Sequence, residues 1–259
     1  MNLGIAGRRA VICASSQGLA RACALALARE GCMVVINGRD AARLKAAQDL
    51  IEEATGHRPD TVVADISTVE GRASLIAACP DADILVTNNG GPAPGRFDDW
   101  DEAAWHGAID ANMLAPAMMI RALLPGMRRR RFGRIVNITS AMVKSPTSSM
   151  GLSTASRAGL TALVKALSRE AAKDNVTINN LLPERVETDR LRYMTEQLAA
   201  HRKISFEEAR AEMARPIAAR RFGLPEEFGD ACAFLCSAQA GYISGQNLQF
   251  DGGSYAGLI

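Results

Sequence analysis

Residues 10–37 read AVICASSQGLARACALALAREGCMVVIN, and this stretch decides the fold class. It begins with AVICA and ends with CMVVIN, which are short apolar runs of the kind that form buried strands. Between them, apolar side chains recur with the spacing of one helix face, at Leu19, Ala22, Cys23, Ala26 and Leu27. The stretch therefore predicts a strand, a helix and a second strand that lies parallel to the first.

The same alternation of apolar strands and helices continues to the end of the chain. Further strands are predicted at TVVAD (61–65), DILVT (83–87), RIVNIT (134–139), VTINNLL (176–182) and NLQFD (247–251). Apolar strands separated by helices are typical of a parallel sheet that helices cover on both faces. We predict a single α/β domain over residues 1–259, a doubly wound Rossmann-type fold with about seven strands.

The composition narrows the range of partners. The chain has 259 residues, of which 48% are hydrophobic, and its formal net charge of +2 gives no reason to expect nucleic acid. The six cysteines show no metal-site spacing, and we recognise neither a signal peptide nor an apolar run of membrane-spanning length. We therefore expect a cytoplasmic protein without a metal site and without a membrane or nucleic-acid partner.

A polar, helix-prone segment without a predicted strand occupies residues 188–221. It follows the end of the sixth predicted strand. Sheets of this type bind ligands at the carboxyl ends of their strands. We predict that residues 188–221 form a lid over the substrate and determine which substrate is accepted.

The turn between the first predicted strand and helix reads CASSQGLA (13–20). In a dinucleotide-binding turn, glycines let backbone N–H groups approach a pyrophosphate at the N-terminus of a helix. Gly18 supplies one such position, and we expect Ser15, Ser16 and Leu19 to contact a cofactor beside it. Taken alone, these residues fit a tight turn that binds no ligand equally well.

The motifs downstream resemble those of the short-chain dehydrogenase/reductase family over nearly the whole chain. They are TNNGGP (87–92), GRIVNITS (133–140), LLPERVETD (181–189) and the tail RFGLPEEFGDACAFLCSAQAGYISGQNLQFDGG (221–253). The resemblance points to 3-oxoacyl-acyl-carrier-protein reductases, and it implies a dinucleotide cofactor and a small carbonyl or alcohol substrate. The glycine-rich turn departs from the family, because Cys13, Ala14 and Ala20 replace a Thr and two glycines.

The resemblance also implies cofactor contacts along the chain. They are Asp65 and Ile66 at the adenine, Asn88 or Asn89 with Gly90 at the adenosine ribose, and Pro183, Val186 and Thr188 around the nicotinamide. Asn37 occupies the position where an NAD site carries an acidic residue for the ribose 2′-hydroxyl, and Arg39 follows closely. Because a guanidinium attracts a 2′-phosphate, we predict NADP(H) rather than NAD(H).

Two of the four catalytic positions of the family are altered. In the family, a Ser polarises the carbonyl, a Tyr donates the proton, a Lys lowers the pKa of that Tyr, and an Asn anchors a water. Ser140 and Asn112 match the Ser and the Asn. The Tyr position holds Ser153, and the Lys position holds Arg157, which can still bind the nicotinamide ribose. A Ser hydroxyl is a much weaker acid than a phenol, and Arg stays protonated, so the predicted site lacks the usual proton donor.

Three further residues bear on the proton donor. Pro116 has no N–H to donate to the Asn112 carbonyl, which either frees that carbonyl for a water or only kinks the helix. Lys144 follows Ser140 by four residues and is either a replacement donor or a solvated loop lysine. Tyr193, in the predicted lid, is a third candidate.

Three functions are consistent with these features. The first is an NADP(H)-dependent oxidoreductase acting on a carbonyl or alcohol with an altered proton donor. The second is a catalytically inactive relative that binds a dinucleotide as a sensor or scaffold. The third is a non-redox enzyme similar to halohydrin dehalogenases, which resemble this family and carry Arg in the Lys position. The resemblance further implies a homo-oligomer, a dimer or a tetramer, assembled through the helices that carry Asn112 and Ser153.

Overall fold

The computed structural model describes residues 2–258 and contains a seven-stranded sheet. The strands are β1 Arg9–Ile12, β2 Met33–Gly38, β3 Asp60–Val63, β4 Ile84–Thr87, β5 Gly133–Ile138, β6 Val176–Pro183 and β7 Asn247–Phe250. All of them run parallel, in the order β3-β2-β1-β4-β5-β6-β7. The predicted doubly wound sheet is confirmed.

Helices cover both faces of this sheet. They are α1 Gly18–Arg29, α2 Ala41–Thr55, α3 Val69–Ala78, α4 Glu102–Ile109, α5 Ala115–Arg130, α6 Gly151–Ala171, α7 Asp189–Arg202, α8 Phe206–Ala214 and α9 Pro225–Cys236. Neighbouring strand residues point to opposite faces. Ile12 and Ile36 therefore pack with α1, α2 and α9, whereas Val11 and Val35 pack with α3, α5 and α6.

The first strand ends earlier than the sequence predicts. Ala14 has a φ of 45°, in the left-handed region, and this conformation takes the chain out of the sheet. The chain enters α1 at Gly18, whose φ of 61° suits a glycine. From β1 the chain continues to β2 and β3 on one side of the sheet, and then crosses to β4 on the other side of β1. The strand order therefore reverses next to β1. Doubly wound sheets bind their ligands at this reversal.

Residues 188–221 contain α7 and α8 and, as predicted, no strand. Thr188 caps α7 by accepting from the Leu191 N–H at 3.3 Å, and Ser205 caps α8 in a capping box with Glu208. Leu191 also joins a small apolar cluster with Ile217 and Phe222, separate from the two main clusters of the sheet. The segment therefore packs around its own small core at the edge of the sheet.

One helix reaches the length and hydropathy of a membrane span, which the apolar runs of the sequence did not indicate. The helices α4 and α5 are joined by a π-helical turn, Asp110–Leu114, into one helix of 29 residues, Glu102–Arg130. By length, and by a mean hydropathy of 1.2 over an 18-residue window, this helix is long and apolar enough to cross a bilayer. Half of this apolar window is buried, and Met119 and Leu123 belong to a core cluster beneath the sheet. The packing of a core helix therefore accounts for the apolar run.

Candidate active site

A single cleft contains most of the predicted site residues. It lies at the carboxyl ends of the strands, has a volume of about 950 Å³, and is bordered on one side by the start of α7. This volume suits a bound cofactor or substrate. The predicted residues that line it are Ser16, Gly18, Leu19, Arg39, Asp65, Ile66, Asn88, Asn89, Gly90, Ser140, Arg157, Pro183, Val186 and Thr188.

Three predicted site residues, Ser15, Asn112 and Ser153, are buried and do not line this cleft. The Ser15 hydroxyl donates to the Ile12 carbonyl at 2.8 Å and accepts from the Asn37 N–H at 3.0 Å. Its side chain therefore holds the turn after β1 in shape instead of facing a ligand. Asn112 and Ser153 contact Gly90 and Arg157, which do line the cleft.

Two asparagines hold the turn after β1. The Ala14 N–H donates to Asn37 Oδ1 at 3.2 Å, and Asn88 Nδ2 donates to the Ala14 carbonyl at 3.3 Å. Asn37 Nδ2 also donates to the carbonyls of Val62 and Ala64, both at 3.0 Å. Asn37 is thus buried in the scaffold and joins the turn to the end of β3, so it is not available to bind a ribose.

Replacing Ala14 by glycine should stabilise the protein. A left-handed backbone costs an L-residue about 1–2 kcal/mol, and glycine avoids this cost. Glycine loses more conformational entropy on folding than alanine does, which offsets about 0.5–1 kcal/mol of the gain. We expect a net gain of about 0.5–1 kcal/mol in the free energy of unfolding, measured by urea denaturation. The matched control is Ala20→Gly inside α1, which should destabilise the protein. Unchanged or reduced stability of Ala14→Gly would show that the turn is not strained.

Arg39 and Asp65 face each other at one end of the cleft. Arg39 Nη1 lies 3.6 Å from Asp65 Oδ2, and the Arg39 side chain is 75% exposed. Exposed ion pairs of this kind contribute little free energy, so Arg39 can turn to a ligand anion at small cost. Asp65 Oδ1 also accepts from the Ser67 N–H at 2.9 Å, and Asn89 Nδ2 donates to Ser67 Oγ at 3.0 Å. These contacts fix the loop after β3 against the loop after β4.

Ser153 and Arg157 lie one turn apart on α6, as the spacing predicts. Arg157 Nη1 donates to Ser153 Oγ at 2.6 Å. The Ser153 side chain is buried, whereas Arg157 lines the cleft, so the guanidinium faces the ligand space and the hydroxyl lies behind it. The residue in the Tyr position therefore orients the cation in the Lys position.

Arg157 carries a desolvated positive charge. Burial lowers the pKa of its guanidinium from 12.5 to about 10, and the nearby positive charge of Arg190 contributes to the same shift. Because this pKa is still well above neutrality, Arg157 stays charged under ordinary conditions. In a site shielded from water, such a charge acts more strongly on a neighbouring group than it would on the surface.

Ser140 lines the cleft just beyond the end of β5. Its hydroxyl oxygen accepts from the Met142 N–H at 3.2 Å, so the hydroxyl proton remains available to a ligand. Ser140 and Arg157 border the same space. Together they offer one neutral and one charged hydrogen-bond donor to an oxygen atom there.

The structure gives no support to Lys144 or Tyr193 as proton donors. Lys144 Nζ donates to Gln249 at 3.4 Å and lies 5.4 Å from the ring centre of Tyr255, outside the cleft lining. Tyr193 is 60% exposed, and the cleft side of α7 presents Met194 instead. Lys144 thus contacts the C-terminal segment of the chain, and Tyr193 lies on the surface of α7.

Asn112 lies in the π-helical turn between α4 and α5 and borders a small pocket beside the cleft. Its Nδ2 lies 3.3 Å from the Ala108 carbonyl and 3.4 Å from the Gly90 carbonyl. Pro116 cannot donate to the Asn112 carbonyl, and the chain forms the π-helical turn directly before this proline. The side chain thus braces Gly90, while a water on the Asn112 carbonyl remains a prediction.

The cleft carries more positive charge than the predicted site residues supply. The arginines that line it are Arg39, Arg43, Arg157, Arg185 and Arg190. Arg190 Nη2 donates to the Pro92 carbonyl at 3.3 Å, so it connects the start of α7 to the loop after β4. The available signal was its place two residues after Thr188, in the segment that follows the sixth predicted strand on the ligand side of the sheet.

Comparison with known proteins identifies the family. The sequence model of the family described as enoyl-(acyl carrier protein) reductase matches residues 13–255 of the chain. A protein from Oryctolagus cuniculus named dehydrogenase/reductase SDR family member 4 is 31% identical over 255 residues, 96% of this chain and 94% of that protein. The chain belongs to the short-chain dehydrogenase/reductase family.

Two further similar proteins are named as bacterial reductases. The NADPH-dependent reductase BacG of Bacillus subtilis (strain 168) is 30% identical over 252 residues, which cover 95% of this chain and 97% of BacG. The crystal structure of L-sorbose reductase from Gluconobacter frateurii, complexed with NADPH and L-sorbose, superimposes with a TM-score of 0.95 at 29% identity, covering 100% of both chains. The chain is therefore a member of a family of NAD(P)-dependent oxidoreductases, which confirms the resemblance.

Proposed function

We propose that this protein is an NADP(H)-dependent oxidoreductase that interconverts a small carbonyl and its alcohol without the usual Tyr–Lys pair. The observation that carries the proposal is that Ser140 and Arg157 line the same cleft as the turn at Gly18 and as Arg39. One cleft thus combines groups suited to a dinucleotide phosphate with two donors suited to a carbonyl oxygen.

Several residues of the cleft fit a bound NADP(H). The N-terminus of α1 lies next to Gly18 and can receive a pyrophosphate, while Gly90 leaves open space around its α-carbon. Arg39 is exposed enough to reach a 2′-phosphate. When bound, the reduced cofactor supplies the hydride. BacG is named as NADPH-dependent, and the L-sorbose reductase structure contains NADPH; we extend this preference to the present chain.

The protein's own residues act on the carbonyl oxygen. The Ser140 hydroxyl donates a hydrogen bond to it, and the Arg157 guanidinium stabilises the negative charge that develops during hydride transfer. Ser153 orients the guanidinium from behind by accepting its hydrogen bond. Protonation of the resulting alkoxide then relies on water. Because a positioned general acid typically contributes about 10²–10⁴-fold to a rate, we expect slow turnover.

A second candidate function is dinucleotide binding without turnover. The burial of Ser153 away from the cleft favours it, because the residue in the Tyr position then contacts no substrate. The cleft lining, within residues 2–258, includes no Tyr at all. This also weakens the dehalogenase-like alternative, since epoxide chemistry on this fold uses that Tyr.

Titration with NADPH and NADH, followed by NADPH oxidation with a panel of ketones and aldehydes, separates these candidates. Trp100 serves as the fluorescent reporter because its ring packs on Gly95 and Gly151, at the start of α6. Binding followed by turnover supports the oxidoreductase. Binding without turnover over the whole panel supports the second candidate, and failure of both nucleotides to bind excludes both.

Replacing Arg39 by glutamine should weaken NADPH binding about 10- to 100-fold, because one charge-assisted contact to the 2′-phosphate is lost. NADH lacks this phosphate, so its affinity should stay within about twofold. The comparison variant is Arg43→Gln at the same end of the cleft, where the Arg43 side chain contacts Asp40 and Gln17. Equal loss of affinity for both cofactors would argue against a 2′-phosphate contact at Arg39. Fluorescence titration measures both affinities.

We also propose a cytoplasmic homo-oligomer, either a dimer or a tetramer. Ile109 and Leu114 are 39% and 42% exposed on the helix that carries Asn112, and Ala155 is exposed on the neighbouring helix α6. Apolar side chains exposed on adjacent helices are typical of subunit interfaces. The small residues of α6 would allow close helix packing between subunits.

A further inference from the structure

Two arginines that carry no counter-charge converge in the cleft at Gly91. A Cβ atom added to Gly91 would lie 3.1 Å from Arg190 Nη1 and 3.4 Å from Arg157 Nη1. Both guanidinium groups therefore border the same small volume, and a side chain at position 91 would fill it. Arg157 reaches this volume from α6 and Arg190 from the first turn of α7.

The other three arginines of the cleft form ion pairs with carboxylates, and within the described part of the chain Arg157 and Arg190 do not. Arg39 pairs with Asp65 at 3.6 Å, Arg43 with Asp40 at 3.9 Å, and Arg185 with Glu184. Among residues 2–258, by contrast, no carboxylate lies within 4.0 Å of the Arg157 or Arg190 guanidinium.

Arg157 is half-buried and Arg190 is exposed, so the two like charges meet at the rim of the cleft. An anion bound between them would relieve their mutual repulsion. Arg157 donates to the neutral Ser153 hydroxyl, and Arg190 donates to the carbonyls of Gly91 and Pro92 at 3.5 and 3.3 Å. None of these partners carries a charge. Asp189 lines the cleft without an ion pair, but it lies in the first turn of α7, where the helix dipole favours a carboxylate. The unpaired charge of the cleft is therefore positive.

We infer that Arg157 and Arg190 form an anion-binding pair that selects a substrate carrying a carboxylate close to its reactive carbonyl, as in a 3-oxo acid. A carboxylate can accept hydrogen bonds from two guanidinium groups at once. Hydrogen bonds between charged groups are stronger than those between neutral groups. Because Arg190 belongs to the lid segment, the substrate anion also ties α7 to α6. The inference rests on the proposed function, which makes the substrate a carbonyl compound. The arginine pair adds a carboxylate, so the substrate is an oxo acid.

The test is a calorimetric titration with acetoacetate and with methyl acetoacetate, which differ in the charge of one end. Each is added to the free protein and to the NADP⁺-loaded protein, in which the oxidised cofactor prevents reduction. We expect acetoacetate to bind about 10- to 100-fold more tightly than its ester. Arg190→Met should remove this preference, Arg190→Lys should keep part of it, and affinity for NADPH should stay within about twofold.

The matched control is Arg192→Met, two residues along α7, where the side chain is 75% exposed and pairs with Glu196. It should leave the affinity for acetoacetate unchanged. Equal binding of acid and ester would overturn the inference. So would an Arg190→Met variant that loses NADPH affinity but keeps acetoacetate binding, since the anion would then be a cofactor phosphate. Acid-selective binding without turnover would support the anion site while contradicting the proposed function.

Discussion

Replacing Ser153 by tyrosine together with Arg157 by lysine should raise kcat for carbonyl reduction by about 10²–10⁴-fold, the usual contribution of a positioned general acid. A phenol has a pKa of about 10, and a neighbouring ammonium lowers it further, so the proton donor then matches neutral pH far better than water does. The measurement is NADPH oxidation with the ketone that the wild-type protein reduces fastest.

Ser153→Tyr and Arg157→Lys should raise kcat only when they are combined. Arg157 Nη1 lies 2.6 Å from Ser153 Oγ, so a tyrosine ring at position 153 needs the space of the guanidinium. We therefore expect Ser153→Tyr alone to lose stability without gaining rate, and Arg157→Lys alone to gain no rate. A double variant that binds NADPH normally but turns over no faster than wild type would show that proton donation does not limit this site.

Replacing Arg157 by methionine should lower kcat/KM by about 10²–10³-fold, the cost of removing one donor that stabilises a developing oxyanion. Methionine keeps helix propensity and most of the apolar volume, so α6 should persist. Circular dichroism and thermal unfolding provide the check on folding. The matched control on the same helix is Arg169→Met, in the last turn of α6 and outside the cleft.

The pH dependence gives a second readout of Arg157. Its pKa is lowered to about 10 by burial and by the charge of Arg190, so the guanidinium is charged below about pH 10 and loses its proton above. Wild-type activity should therefore fall as the pH rises through 10, and the Arg157→Met variant should lack this step. An Arg157→Met variant as fast as wild type would exclude Arg157 from catalysis, whereas wild-type activity that stays flat through pH 10 would show that the guanidinium keeps its proton there.

Much of the fold was predictable because its determinants are local in sequence. The apolar runs that became β1 and β2, and the helical spacing from Leu19 to Leu27, specify a strand–helix–strand unit without tertiary information. Parallel strands place their carboxyl ends at one edge, so residues such as Arg39, Asp65 and Asn88 could be assigned to one cleft from strand ends alone.

Side-chain direction was not predictable in the same way. The spacing of Ser153 and Arg157 places both on one face of α6, yet only the packed structure shows the hydroxyl behind the guanidinium. Arg190 meets Arg157 from an element far away in sequence, and Asn37 turns inward to fasten three backbone groups. Such contacts depend on how the loops fold over each other. The residue pattern along a single helix or strand does not contain this information.

Transfer of deuterium from the cofactor to the substrate would demonstrate hydride transfer without the Tyr–Lys pair. The protein is incubated with NADPH deuterated at the reactive position of the nicotinamide and with acetoacetate and neutral ketones, and the alcohols are analysed by mass spectrometry. We predict alcohol carrying one deuterium on the carbinol carbon, formed by the wild-type protein and strongly reduced in Arg157→Met. Protein that binds NADPH yet leaves every alcohol free of deuterium would contradict the claim and identify a dinucleotide-binding protein without redox activity.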